Sequence, residues 1–259
     1  MLCVVRSNGF ARTPMPRVAV VAALEREIAP LIKSWSRIQR EHEEHRFTFF
    51  ERDNIVAVCG GIGMQSARRA AEAVIALYHP AQLHSVGFAG ALNKSLRVGD
   101  VFSPAVVIDA RDGSRYQLRG GTGTLLTFMA VADATQKTKL AQAYSAAAVD
   151  MEAAAVASAA QARGIPFAAT KVISDELDFD MPVIGNFVSA EGRFKTPNFV
   201  LYAALRPWLW RSVAVLARNS RKASRALCAN LENFCRDASE AAAISRAGTE
   251  NALRSEGGK

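Results

Sequence analysis

The sequence predicts an α/β layered sandwich with a central mixed, largely buried β-sheet flanked by helices. Three observations predict it. Arg17–Ala23 (RVAVVAA) is a continuous apolar run of strand length, the pattern of a strand covered on both faces. Segments with apolar residues at helical spacing alternate with such runs, as they do when helices pack on a buried sheet. Small-residue turns, CGGIG and FAGA, punctuate the ends of two of the strands.

Taken in order, Arg17–Ala23 is the first strand, and Glu25–Lys33 is a helix with Ile28, Leu31 and Ile32 on one face. Arg46–Glu51 and Asn54–Cys59 are β-rich and meet at Arg52-Asp53, which reads as a hairpin. A long helix follows CGGIGMQSA and runs to Tyr78. Gln82–Phe88 and Gly99–Asp109 are strands, and Thr124–Val131 and Ala146–Val149 are two more, separated by a helix at Thr135–Tyr144. Glu152–Arg163 is a helix and Phe167–Ser174 the last strand. No repeat or linker divides the chain, and 259 residues suffice to bury one large core. A single domain is expected over 15–235, after an N-terminal extension at 1–14. The polar, alanine-rich stretch 236–259 is expected to be a disordered tail.

Composition narrows the function. Hydrophobic residues make up 50% and charged residues 22%, ordinary for a globular protein. The four cysteines, Cys3, Cys59, Cys228 and Cys235, contain no CxxC pair, which argues against a disulfide framework or zinc ribbon and for a reducing, cytoplasmic setting. The opening MLCVVRSNGF is too short an apolar run to be expected to act as a signal peptide, and no run approaches a membrane span. His42 and His45 in EHEEH lack the HExxH spacing and read as a solvated turn, so no metal is expected.

The net charge of +8 is concentrated late, at Arg206, Arg211, Arg218, Arg221, Lys222 and Arg225, without an RNA-binding signature, and nucleic acid is not an expected partner. The preferred reading of that segment is a core-packing helix with a basic outer face. The alternative is an interfacial amphipathic helix, with Trp208, Trp210, Val213 and Leu216 making peripheral membrane contact through 206–227.

Five places present chemistry. In the loop Gly60-Gly61-Ile62-Gly63, between strand and helix, glycines let the backbone approach a ligand, and the helix start offers N–H groups to an anion or sugar oxygen. A dinucleotide fingerprint would need glycine where Ser66 stands and an acid about 20 residues on, so a nicotinamide site is excluded. Phe88-Ala89-Gly90 and Ser174-Asp175 both lie at strand ends, where open α/β sheets gather ligands. In VDMEAAA, Asp150 fits a helix cap, whereas Glu152 has no polar helix face to rest on and is either a cap or a ligand-holding group. Glu27 follows the end of the first strand.

The segments VAVVAALEREI, CGGIGMQSA, SVGFAGALNKSLRVGDV, VDMEAAAVA and KVISDELD occur in the order seen in the nucleoside phosphorylase/nucleosidase superfamily, which the chain resembles from Arg17 to Asp178. The N-terminal segment is most similar to 5′-methylthioadenosine/S-adenosylhomocysteine nucleosidases. The resemblance implies release of adenine from an adenosine-type nucleoside by a homodimer without a cofactor. It implies that Asp175 protonates N7 of the purine, oriented by Ser174 and with Glu152 as its charged neighbour. Glu152 would hold the ribose hydroxyls, Met151 would pack on the sugar and its 5′ substituent, and Glu27 would activate water. Gly61, Phe88, Ala89, Gly90 and Lys171 complete the implied substrate contacts.

Glu27 favours hydrolysis, because a carboxylate there repels phosphate. Arg26 together with Lys171, which stands where the family often has arginine, would instead make a phosphate site, with phosphate as co-substrate. Thr135, in VADATQK, stands where a purine-stacking phenylalanine is expected, leaving Phe88 or Phe128 to substitute. The stretch RFKTPNFVLYAALRPWLWRSVAVLARNSRKASRAL resembles the ending of hopanoid-associated nucleoside phosphorylases, so phosphorolysis of a lipid-linked adenosine is the alternative. A non-catalytic nucleoside-binding protein of the same fold is a third reading.

Overall fold

The computed structural model describes the backbone of residues 17–256 except 180, 181, 188, 190, 191 and 193, and side chains over that span except 182–184 and 238–256. The extension expected at 1–14 lies outside the described residues.

The chain runs β1 (Val18–Ala22), α1 (Glu25–Ile32), β2 (Ser36–His42), β3 (His45–Arg52), β4 (Ile55–Cys59), α2 (Met64–Tyr78) and β5 (Gln82–Ala91). It continues through β6 (Val101–Phe102), β7 (Val106–Asp109), β8 (Arg115–Gln117), β9 (Thr124–Thr127), α3 (Ala134–Tyr144), β10 (Ala148–Asp150), α4 (Ala153–Gln161) and β11 (Phe167–Asp175). After a short 3-10 turn at Pro182–Phe187 come α5 (Thr196–Ala204), a second such turn at Pro207–Leu209 and α6 (Trp210–Glu256).

The strands form one mixed sheet in the order β2-β3-β4-β1-β5-β10-β9-β7-β8, with β11 on the other edge of β5 and β6 paired to β11. Strands β4, β1, β5 and β11 are parallel, and β10 runs antiparallel to β5. Alternate residues of β1 feed two cores, which is why its run is apolar throughout. Ala19 and Val21 pack with the alanine-rich faces of α2 and α4, whereas Val18, Val20 and Ala22 pack with Ile28 and Leu31 of α1 and Ala223, Leu227 and Leu231 of α6. The expected core-packing role of the late helix therefore holds for its stretch from Ala223 to Cys235. A third cluster, of Leu92, Ile108, Leu126 and Val149, is closed by Leu140 of α3.

The structure departs from expectation where local composition misleads. The polar, largely exposed SRIQREH is strand β2, held by its full register on β3, so EHEEH is a hairpin turn with Glu43 and Glu44 at φ +46° and +62°. Gly99–Asp109 is two strands, β6 and β7, with Pro104 between them and unable to donate to a ladder. The three-residue strand β8 had no sequence signal. Helical backbone continues unbroken from α6 through 236 to Glu256, so the structure places no boundary where the tail was expected to begin.

Candidate active site

The register around β5 creates the site. Strand β11 covers one edge of β5 from Leu83 to Gly90. Along the other edge β1 pairs with Gln82–Ser85 and β10 pairs with Gly90–Ala91. Strands β1 and β10 thus approach one another by their carboxyl ends, leaving Val86–Ala89 facing the two chain turns that follow them. Such reversals of strand order are where α/β sheets open a crevice. Here the crevice is a cavity of about 180 Å³ lined by Glu27, Phe88, Ala89, Gly90, Met151, Glu152, Ser174 and Asp175, among others.

Four carboxyl groups and two buried lysines set its electrostatics. Asp150, at the end of β10, accepts from Thr127 Oγ1 (2.6 Å) and from the backbone N–H of Ala153 (2.8 Å), which caps α4. Its Oδ2 also lies 2.9 Å from Lys171 Nζ, and that ammonium donates to Ser85 Oγ (3.2 Å). At the other end of the cavity Lys137, from α3, donates to Asp175 Oδ2 and to the carbonyl of Glu176 (2.8 Å). Ser174 Oγ donates to Asp175 Oδ1 at 2.7 Å. Glycine at position 90 makes this pair possible, because a Cβ there would lie 2.8 Å from Asp175 Oδ2 and 3.2 Å from Lys137 Cε.

Each lysine is thus committed to one aspartate, and among the described residues the two glutamates have no cation in direct contact. Glu152 accepts from the backbone N–H of Gly63 (2.8 Å) and of Met151 (3.2 Å). Burial and the adjacent Asp150 push its carboxyl well above the usual range, against the pull of Lys171. Glu27 is 5% exposed, and among the described residues its Oε2 has no hydrogen-bond partner. Burial raises its pKa to about 7, opposed by Lys171 and Arg26. Gly87 makes room for it: with φ at +144°, a Cβ at Gly87 would lie 2.8 Å from Glu27 Oε2. A buried carboxyl raised toward neutrality, with one oxygen left open, is the ordinary signature of a general base.

Eight of the ten site residues expected from sequence meet at this cavity; two do not. Lys171 lies beneath it, 1% exposed, with its ammonium consumed by Asp150 and Ser85. Of the two cations of the alternative phosphate site, Arg26 lines the cavity, with its guanidinium over the Phe194 ring at 5.1 Å, and Lys171 is held by Asp150. Gly61 lines a larger adjoining cavity of about 750 Å³, while Gly63 from the same loop holds Glu152. Of the two phenylalanines proposed to replace the missing stacking residue, Phe88 lines the active cavity and Phe128 does not. The sequence reading missed Lys137 and Phe194, both of which line it. Lys137 sits in a polar run, ATQKTKL, that reads as a solvated helix face, and Phe194 lies beyond the Arg17–Asp178 span on which the site residues were assigned.

The profile of the phosphorylase superfamily matches residues 17–125 and 110–193, the part of the chain that builds this cavity. The chain belongs to the phosphorylase superfamily. This superfamily member is an enzyme of the nucleosidase or nucleoside phosphorylase class. It is 23% identical over 218 residues to an aminodeoxyfutalosine nucleosidase of Campylobacter jejuni, covering 66% of this chain and 93% of the relative. The apo structure of Arabidopsis thaliana 5′-methylthioadenosine nucleosidase superposes with a TM-score of 0.67 at 19% identity, covering 87% of this chain and 96% of that one. A 5′-methylthioadenosine/S-adenosylhomocysteine nucleosidase from Colwellia psychrerythraea, in complex with adenine, superposes with a TM-score of 0.57 at 22% identity, covering 62% and 83%. At these identities the solved structures establish the shared fold.

Proposed function

We propose that this enzyme hydrolyses the N-glycosidic bond of an adenosine-type nucleoside, of the methylthioadenosine or S-adenosylhomocysteine kind, and releases adenine. The observation that carries the reading is Glu27, a buried carboxyl raised to about 7, without a hydrogen-bond partner on Oε2 among the described residues and sharing one cavity with Glu152 and Asp175. Breaking the bond sends its electron pair to the departing purine and leaves positive charge on the ribose, as in other glycoside cleavages. Asp175, entering the step as the neutral acid, gives its proton to N7 of the purine, and the carboxylate left behind is held by the Lys137 ammonium and the Ser174 hydroxyl. Glu152 accepts hydrogen bonds from the ribose hydroxyls. Glu27 takes a proton from water as the water oxygen bonds to C1′, so nucleoside and water become adenine and a free sugar. Phe88 offers the purine a flat apolar contact, and Met151 packs on the sugar.

Phosphorolysis finds less support, since Lys171 is held by Asp150 and a buried glutamate stands in the cavity. A purely binding role would not explain why the fold retains a carboxyl whose ionisation opposes folding. The test is adenine release from methylthioadenosine, S-adenosylhomocysteine and adenosine, each with and without phosphate. Free sugar formed without phosphate is the expected result. A sugar 1-phosphate formed only with phosphate would overturn hydrolysis, and tight adenine binding without turnover of any nucleoside would leave the binding protein standing instead.

A further inference from the structure

We propose that the face made by α5, the Pro207–Leu209 turn and the outer side of α6 docks on an anionic lipid bilayer. The inference is independent of which nucleoside the cavity takes.

Its first support is a concentration of exposed apolar surface. Val200, Leu201, Leu205, Trp208 and Trp210 are 57–73% exposed and fall within eleven residues of one another. Scattered exposed hydrophobics are ordinary, but a contiguous set marks an interaction surface. Packing explains why these side chains face out: α5 turns Phe199 and Ala203 inward, and Trp210 Nε1 donates to the carbonyl of Ala203 (3.0 Å), which fixes the indole at the surface. Tryptophan suits the boundary between water and acyl chains, having an apolar body and a polar edge.

The second support is charge. From Phe194 to Leu231 the sequence has seven lysines and arginines and no aspartate or glutamate. On α6, Arg211, Arg218, Lys222 and Arg225 recur at spacings of seven, four and three, which places them within about 60° of the helix circumference. All four are exposed, and they lie opposite the buried Ala223, Leu227 and Leu231. A basic outer stripe with tryptophan and aliphatic side chains at its end is the arrangement that rests in a lipid interface. Among the described residues no helix is long and apolar enough to cross a membrane, so the contact is peripheral.

The same charge argues against the other occupants. A second copy placed symmetrically on this face would set the four bases of the stripe against four, because a two-fold interface joins like surface to like. RNA would use the basic stripe but leave Val200, Leu201 and Leu205 without a role. The docked face also adjoins the active cavity, through Phe194, which lines the cavity and packs on Phe199 (ring centroids 5.5 Å).

The test is co-sedimentation of the full chain with phosphatidylcholine vesicles and with vesicles also containing phosphatidylglycerol. Tryptophan emission gives a second readout, because Trp35 is buried and a shift on binding reports Trp208 and Trp210. The expected result is binding and a blue shift with the anionic vesicles only. Substituting Arg211→Gln, Arg218→Gln and Lys222→Gln should weaken binding about five-fold per charge removed. Trp208→Ser with Trp210→Ser should weaken it at least ten-fold. Circular dichroism and turnover of a soluble nucleoside, unchanged in both variants, show that the fold is intact. The proposal is overturned if neither vesicle binds, if both variants bind as the parent does, or if an RNA oligonucleotide binds more tightly than the vesicles. Self-association lost in the tryptophan variant, in place of vesicle binding, would overturn it in favour of a second copy.

Discussion

Two lysine–aspartate pairs sit at opposite ends of the same cavity, and they differ in who else can reach them. Lys171 and Asp150 have side chains 1% and 0% exposed, and Asp150 also caps α4 and accepts from Thr127. Lys137 is 2% exposed, but its partner Asp175 is 24% exposed. The first pair has every polar atom spoken for and serves the fold. The second keeps one face open to a ligand. The contrast teaches that pair chemistry alone does not mark a functional site; access does.

Four substitutions test whether the two pairs differ in this way. Asp175→Asn removes the acid at the open pair and should leave folding intact while lowering turnover by about 10²–10⁴. Near-parental turnover would remove Asp175 from the chemistry. Lys171→Met strands Asp150 without its cation in a closed site and should cost roughly 3–5 kcal/mol of stability, read as a fall in Tm of about 10 °C. A small change would mean that this pair is not what holds the floor of the cavity.

Lys137→Met should do the reverse, lowering kcat by about 10–10² with a smaller loss of Tm, because the carboxyl it leaves is reachable by water. If its Tm falls as far as that of Lys171→Met, the two pairs do not differ in the way argued here. Glu27→Gln changes stability in the opposite direction. A carboxyl whose folded pKa is raised from 4.5 to about 7 binds its proton more tightly in the folded state, so stability is lost as pH rises through that window. The variant, which cannot ionise, should exceed the parent by roughly 1–3 kcal/mol at about pH 8, the two converging toward about pH 4. Equal stabilities at both pH values would contradict it. In the parent, kcat/KM should rise with pH through about 7 as Glu27 gains its charge and can accept a proton from water.

Much of the fold was legible because burial on both sheet faces leaves an unbroken apolar signature, as in β1 and β5. Strand β2 was not, since SRIQREH owes its conformation to pairing with β3 and buries few side chains of its own. The site divides in the same way. Glu27, Glu152 and Asp175 stood out because a carboxylate at the end of an apolar element has few structural excuses. Lys171 was assigned to substrate because its sequence position matched a cation in the resembling family. Its chemistry is set instead by Asp150, a neighbour across the sheet that no local pattern names. Lys137 gave no signal, for a lysine among glutamine and threonine reads as solvated until α3 packs it against the end of β11.

By itself, then, the sequence determined the alternation of buried strands and helices, the strand ends at which chemistry is presented, and the acids that stand there. These follow from local properties: apolar periodicity, turn residues and charge out of place. The tertiary structure alone decided which acid meets which base. Strands β1 and β10 converge end to end along β5 and set four carboxyl groups around one small cavity. Their protonation then depends on distances of a few ångströms between residues as far as 148 positions apart, from Glu27 to Asp175. Electrostatic energy inside a protein depends on separation and burial, and neither is a property of chain position.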